Sequence, residues 1–210
     1  MGYLVESAPM SDQRRIALTL SGGGFRATLF HLGVVRFLHE AGVLPLVQRI
    51  AAVSGGSVLA AHLVLNWQRY NGSSERFDSA AQEILDFVRS DTRGRIVRRW
   101  ILAWVLVLPH VLGRGYWTLT RLLERQYERL YGKAQLKDLH SIENDARPQV
   151  FFNCTSLSTG SPCCFGRSGF MWYDGDVERA ITAPETRIAF AVAASAGTAT
   201  SQGARSKPAT

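Results

Sequence analysis

Two turns near the start of the sequence carry residue types that could do chemistry. In the first, three glycines occur in a row, Gly22, Gly23 and Gly24. Consecutive glycines let several backbone N–H groups approach one point without side-chain obstruction, where they could hold an anion or the oxyanion of an acyl-transfer intermediate. Arg26 adds a positive charge that could orient this loop or bind a phosphate group. The first turn is therefore a candidate anion or oxyanion site.

The second turn places a serine among small residues. It reads Ala52-Val53-Ser54-Gly55-Gly56, which is the G-x-S-x-G pattern of a nucleophile elbow with alanine in the first small position. Small neighbours are needed because the backbone is strained there and a substrate must come close. Ser54 is the candidate nucleophile, and Ala52, Gly55 and Gly56 form the elbow. A plain helix N-cap is the alternative role for such a serine.

Each of these turns lies between a predicted strand and a predicted helix. The apolar run Ile16–Leu20 predicts a buried strand, and apolar spacing predicts a helix from Arg26 to Ala41 with Gly42 as its C-cap. A second strand is predicted over Ile50–Val53, and a second helix from Gly55 to about Trp67. Two successive strand-turn-helix units predict an α/β fold with a mainly parallel sheet and helices on its faces.

Composition predicts one globular domain. The chain has 210 residues, 46% of them hydrophobic and 20% charged, which is enough for a core without disulfides or metals. The net charge of +7 favours anionic partners. The sequence has no helix-turn-helix, zinc-finger or RNA-binding signature, and many basic residues lie beside tryptophans and apolar residues. We therefore expect no nucleic-acid partner and a peripheral contact with an anionic membrane.

Three cysteines bear on the compartment. Cys154, Cys163 and Cys164 show neither a disulfide framework nor zinc-ligand spacing, and no signal-peptide pattern precedes them. These features predict reduced thiols and a cytoplasmic protein. No pattern predicts an oligomeric state.

The apolar run from Trp100 to Leu112 is hydrophobic on all sides of a helix. It is shorter than the roughly 20 residues of a membrane span and contains Pro109. The run predicts a Trp- and Arg-rich cap or membrane-facing segment over about residues 96–118. Residues 16–196 are expected to form the domain, between a flexible arm over 1–15 and a disordered tail over 197–210.

A dinucleotide-binding loop is an alternative interpretation of the glycine run. Gly22 and Gly24 lie between a strand and a helix, and Ala27 could serve as the third small residue. That fingerprint also needs an acidic residue at the end of the next strand, whereas Glu40 lies within the predicted helix. A nucleotide-binding domain is therefore the less favoured alternative, and a non-catalytic lipid-binding module stays open.

The motifs together resemble the bacterial branch of the patatin-like phospholipase family. The resemblance rests on SGGGFRA, a helix ending in EAG and AVSGGS, and it continues through LERQYERLYG, LKDL, FFNCTSLSTG and AVAASAG, from about Ile16 to Ser195. It implies a three-layer α/β/α sandwich and hydrolysis of lipid acyl esters by a serine-aspartate dyad, without histidine, metal or cofactor. It also implies that Ser54 is the nucleophile and that Gly22, Gly23, Gly24 and Arg26 form the oxyanion loop. Ala27 departs from the glycine that the family has there.

The family's aspartate is the main departure. In the family, a short Asp-Gly-Gly or Asp-Gly-Ala motif follows an alanine-serine block like the one around Ser195, and the sequence diverges from that pattern after Ala196. The resemblance then implies a chain that lacks the dyad aspartate and is weakly active or inactive. Asp174 could substitute, although it precedes the block and a plain turn is the alternative. His31, His39 and His62 fall on predicted helices, where we expect structural roles.

Overall fold

A mixed sheet of six strands organises the chain. A computed structural model describes residues 16–107, 119–139, 147–156, 159–174 and 177–196. Within these, the strands follow one another across the sheet in sequence order. They are β1 (Ile16–Leu20), β2 (Val47–Ala52), β3 (Gln149–Thr155), β4 (Pro162–Gly166), β5 (Gly169–Asp174) and β6 (Val177–Thr182).

The sheet is parallel at its start and antiparallel afterwards. β1, β2 and β3 pair in parallel, whereas β3 to β6 pair antiparallel. The loop lengths explain the change, because only Arg167 and Ser168 separate β4 from β5, and a connection this short permits only an antiparallel hairpin. The helices between β1 and β2 and between β2 and β3 supply the long crossovers that parallel strands need. The predicted α/β class is confirmed, with the parallel pairing confined to the first three strands.

Six α-helices lie among the described residues. They are α1 (Gly24–Glu40), α2 (Gly55–Leu65), α3 (Trp67–Tyr70), α4 (Ser74–Val107), α5 (Leu119–Tyr131) and α6 (Ile188–Ala196), with 3₁₀ turns at Leu44–Leu46 and Leu136–Leu139. α1 ends at Glu40, and Gly42 follows it with a φ of 67°, which confirms the prediction that this glycine terminates the helix.

The core lies on one face of the sheet. Leu20, Ala52 and Phe152 are neighbours across β1, β2 and β3, and all three are buried. α2 packs in this core and is buried over all but its last residue, as expected for a helix that is apolar on every side. On the opposite face, Thr19 is exposed and Phe151 is half-buried.

The apolar run after residue 96 begins within α4. Apolar spacing in the sequence predicts a helix from Ser79 to about Val88, but α4 continues to Val107, and no proline interrupts the chain between Ser74 and Val107. Residues 108–118, which complete the predicted cap or membrane-facing segment, lie outside the described residues, as do the predicted arm over 1–15 and tail over 197–210. In the part of the chain that is described, no helix has both the length and the hydrophobicity to cross a bilayer.

A buried polar cluster joins α2 to α3 and α4. His62 is 1% exposed, with Nε2 3.1 Å from a Glu83 carboxylate oxygen and Nδ1 3.0 Å from the Tyr70 hydroxyl. A carboxylate only accepts, so Nε2 carries the ring proton and Nδ1 accepts from Tyr70. Burial lowers the pKa of His62 more than Glu83 raises it. A neutral imidazole therefore ties the three helices together, in the structural role expected for this histidine.

Candidate active site

The two turns singled out from the sequence lie side by side at one edge of the sheet. They follow β1 and β2, which are adjacent and parallel, with Leu20 opposite Ala52. The N–H of Val53 extends this pairing by donating to the carbonyl oxygen of Leu20 at 3.0 Å. Because parallel strands end at the same edge, the glycine loop and the serine turn face the same space.

Ser54 has the backbone strain of a nucleophile elbow. Its φ is 52° and its ψ is −118°, and no other non-glycine residue in the described ranges has a positive φ. This backbone conformation costs a non-glycine residue about 1–3 kcal/mol, and the conformation persists only where the surrounding structure fixes it. α2 begins at the next residue, and the Ser54 carbonyl already accepts from the amides of Ser57 and Val58. Ser54 is half-buried at the N-terminus of α2.

The glycines after Ser54 are required by close backbone contacts. A Cβ on Gly55 would lie 2.0 Å from the carbonyl oxygen of Gly24, and one on Gly56 would lie 2.3 Å from that of Leu20. Neither position can hold a side chain without moving a strand end or the start of α1. Ala52, before the turn, is fully buried, which suits the small residue there.

The glycine loop borders Ser54 directly. A Cβ on Gly22 would lie only 3.3 Å from the Cβ of Ser54. Gly23 and Gly24 have φ values of 140° and 63°, conformations that L side chains rarely adopt. Among the described residues, the amides of Gly22, Gly23, Gly24 and Gly55 have no hydrogen-bond acceptor. The loop thus presents unpaired donors beside a serine, as oxyanion stabilisation requires.

Two residues of α1 fix this arrangement, and the sequence did not single them out for it. Thr28 is fully buried, and its Oγ1 donates to the carbonyl oxygen of Gly55 at 2.7 Å. His31 Nε2 lies 3.2 Å from both the hydroxyl and the carbonyl oxygen of Ser21, the first residue of the glycine turn. The sequence signal that could have identified them is a threonine and a histidine on the apolar face of the predicted helix, where polar side chains need hydrogen-bond partners.

Arg26 lies in the first turn of α1 with an exposed side chain. In the described part of the chain it makes no hydrogen bond or ion pair. Arg26 therefore lies close to the glycine loop in the sequence, but its guanidinium makes no hydrogen bond to that loop in the described residues. Its predicted role in orienting the loop remains a prediction.

A hydrogen-bonded centre behind the elbow was missed from the sequence. Ser195, on α6, has its Oγ 3.0 Å from the amide of Ser54, 2.8 Å from the hydroxyl of Ser57 and 2.7 Å from the carbonyl oxygen of Asn153. These partners belong to the serine turn, to α2 and to β3. The serine of the AVAASAG block was visible in the sequence, but its partners lie far away along the chain.

The described residues place no general base on Ser54. In those ranges the Oγ of Ser54 has no hydrogen-bond partner, and His31, His39 and His62 all contact other groups. Asp174 ends β5, three strands from β2, which separates it from the serine turn by about 14 Å at roughly 4.8 Å per strand. Sheet position therefore argues against Asp174 as the partner. Among the described residues, no group of histidine, cysteine and acidic side chains could hold a metal ion.

The fold and this paired-turn site define an α/β protein with a glycine loop and a strained serine turn at one edge of its sheet, and the family follows from comparison. The chain belongs to the patatin-like phospholipase family, whose model matches residues 18–200. This confirms the resemblance inferred from the motifs. Comparison with curated protein sequences gives no match.

Solved structures of a human phospholipase share the fold of this chain at low sequence identity. Human GIVD cytosolic phospholipase A2 in complex with methyl gamma-linolenyl fluorophosphonate is 19% identical with a TM-score of 0.59, over 88% of this chain and 29% of that chain. The structure of the same human protein without the inhibitor is 20% identical to this chain, with a TM-score of 0.55, and the match covers 88% of this chain and 28% of that chain. A match to the ExoU–SpcU complex of Pseudomonas aeruginosa has 18% sequence identity and a TM-score of 0.49, and it covers 91% of this chain and 38% of that chain. This chain thus spans less than a third of the human phospholipase chain.

Proposed function

We propose that this chain is a lipid acyl-ester hydrolase, like a phospholipase A or lysophospholipase, with Ser54 as its nucleophile. The observation that carries the proposal is the approach of Gly22 to Ser54, where a Cβ on the glycine would lie 3.3 Å from that of the serine. A serine held at a φ of 52° is thereby set beside unpaired backbone donors. Family membership supplies the lipid class of the substrate.

The chemistry follows from these positions. Ser54 Oγ attacks the ester carbonyl carbon, and the carbonyl π electrons move onto oxygen, where the amides of the glycine loop stabilise the charge. Collapse of this intermediate breaks the bond to the alcohol, which leaves with a proton, and an acyl-serine remains. Water then attacks the acyl carbon, and the fatty acid and free serine are released.

Proton transfer from Ser54 limits the rate. A serine hydroxyl is a weak nucleophile near neutral pH unless a base accepts its proton. In the described ranges no imidazole or carboxylate contacts Ser54 Oγ. We therefore propose slow turnover by the 210-residue chain itself.

Peripheral contact with an anionic membrane is part of the proposal. Val53, next to the nucleophile, is 41% exposed, and Phe30, in the second turn of α1, is 69% exposed. Exposed apolar residues beside a lipid-directed site, on a chain with a net charge of +7, favour a lipid surface. The predicted cap over residues 96–118 would add to this contact.

Covalent labelling tests the nucleophile without requiring turnover. The purified chain is treated with an alkyl fluorophosphonate, and the labelled peptide is identified by mass spectrometry. We expect one adduct, on Ser54, which Ser54→Ala abolishes and which forms faster as the pH is raised because hydroxide then accepts the proton of the Ser54 hydroxyl. Ser168→Ala, in an exposed turn, is the matched control and keeps the adduct.

Three outcomes would contradict different parts of the proposal. An adduct elsewhere, or one that survives Ser54→Ala, would remove Ser54 as the nucleophile. Rapid hydrolysis of a short-chain nitrophenyl ester that depends on Ser54 would confirm the nucleophile and disprove slow turnover. Vesicle binding without any Ser54-dependent chemistry would favour a non-catalytic lipid-binding module.

A further inference from the structure

Ser195 uses its full hydrogen-bonding capacity at the serine turn. The carbonyl oxygen of Asn153 can only accept, so the single hydroxyl hydrogen of Ser195 goes to it at 2.7 Å. Ser195 Oγ must then accept from its other two partners, which are the amide of Ser54 at 3.0 Å and the hydroxyl of Ser57 at 2.8 Å. One oxygen thus joins β3, α2 and α6 to the main chain of the candidate nucleophile.

The bond to Ser54 holds a strained residue. The amide that donates to Ser195 belongs to the residue with a φ of 52°. Ser195 is 7% exposed and Ser57 is fully buried, so water has little access to replace a lost partner. Strain of this kind persists only where the surroundings fix the backbone. The Ser195 hydroxyl is the side-chain group that does so at the Ser54 amide.

We propose that Ser195 is a positioning residue for the nucleophile. Its Oγ fixes the amide of Ser54 and thereby sets the direction in which the Ser54 side chain points. It acts through the main chain and needs no contact with the ester. The catalytic part of this inference rests on the proposed function, whereas the restraint on the turn does not.

Amide hydrogen exchange measures the restraint directly. In the wild-type chain the Ser54 amide is protected, and Ser195→Ala should raise its exchange rate by about tenfold or more, the equivalent of one lost hydrogen bond. Ser57→Ala is the matched control, because it removes a hydroxyl from the same centre but keeps the bond from Ser54 to Ser195. It should leave the Ser54 amide protected.

A double variant separates positioning from loss of fold. Ser195→Ala leaves the buried Ser57 hydroxyl without an acceptor, which alone destabilises the chain. Ser57→Ala combined with Ser195→Ala removes that unpaired group. It should restore stability toward that of Ser57→Ala while the Ser54 amide still exchanges rapidly.

Kinetics extend the test to chemistry. In Ser195→Ala the rate of Ser54 phosphonylation, or kcat for an ester, should fall by about 10- to 100-fold because the oxygen is misdirected, while KM stays unchanged. An unchanged Ser54 exchange rate in Ser195→Ala would overturn the inference, as would an equal rise in Ser57→Ala. If the wild-type Ser54 never reacts, the proposed function fails and the exchange measurement still decides the role of Ser195.

Discussion

Thr28 joins the two halves of the site, since its side-chain oxygen donates to the main-chain carbonyl of Gly55 at 2.7 Å. The bond connects the helix that begins in the glycine loop with the helix that begins at the serine elbow, across 27 positions of sequence. Thr28→Val keeps the shape and removes the donor, so we expect a loss of about 1–2 kcal/mol in unfolding free energy. Thr28→Ser keeps the hydroxyl and should retain the bond. Urea unfolding measures the free energy of unfolding of both variants. Equal losses in Thr28→Val and Thr28→Ser would contradict a stabilising role for this hydrogen bond.

The glycine after Ser54 should not tolerate a methyl group. In Gly55→Ala the new Cβ would meet the Gly24 carbonyl oxygen at 2.0 Å, so we expect a loss of about 1–3 kcal/mol and a displaced serine turn. Gly33→Ala is the control, because that exposed position on α1 has no atom within 4 Å of a new Cβ. It should stabilise the chain by about 0.5–1 kcal/mol through helix propensity. Thermal unfolding compares the two, and a neutral Gly55→Ala would refute the contact.

Removing Ser54 in two ways isolates its backbone strain. Ser54→Ala and Ser54→Gly both lack the hydroxyl, but only alanine keeps a Cβ at a φ of 52°. We expect the glycine variant to be more stable by about 1 kcal/mol, because glycine adopts this conformation without steric cost. Chemical denaturation gives the comparison. A more stable alanine variant would show that the turn stores no strain.

Acid should weaken the helix junction around His62. Burial lowers the pKa of His62 in the folded chain, whereas the unfolded chain takes up a proton near the ordinary value of about 6.5. Below that pH the unfolded state binds more protons, so stability falls as the pH drops from about 6.5 toward the lowered folded value. His62→Gln should flatten this slope in a series of denaturation curves. Tyr70→Phe keeps the imidazole and should keep the slope, and an unchanged slope in His62→Gln would disprove the assignment.

Membrane contact should depend on which exposed phenylalanine is removed. Phe30 and Phe37 are 69% and 67% exposed on α1, and Phe37 lies about 10 Å farther from the glycine loop at about 1.5 Å per residue. Phe30→Ser should weaken binding to anionic vesicles, whereas Phe37→Ser should not. Sedimentation with vesicles measures both. Equal effects would place the contact elsewhere.

Most features that could be predicted from the sequence depend on local motifs. The strand predicted over Ile16–Leu20 has the same bounds as β1 in the structure. The adjacency of the glycine run and Ser54 followed from two strand-turn-helix units in succession. Each of these features is specified by residues that are close together in the chain.

Features that depend on distant or polar residues were not predicted. β6 was missed because its residues are mostly exposed and show no apolar alternation, so only its pairing with β5 identifies it. α4 runs past Val88 through a basic stretch that has no apolar periodicity. The bond between Ser54 and Ser195 spans 141 positions, and no local pattern records such a contact.

That separation also affects the order of folding during synthesis. β3 pairs with β2 across roughly a hundred residues of intervening chain, and such pairings form late because loop closure must precede them. The hairpins from β3 to β6 are local and can form as soon as they leave the ribosome. The serine turn cannot acquire its last hydrogen bond until α6 has been translated and docked. A nascent chain therefore carries its glycine loop and Ser54 long before the backbone of Ser54 is held in place.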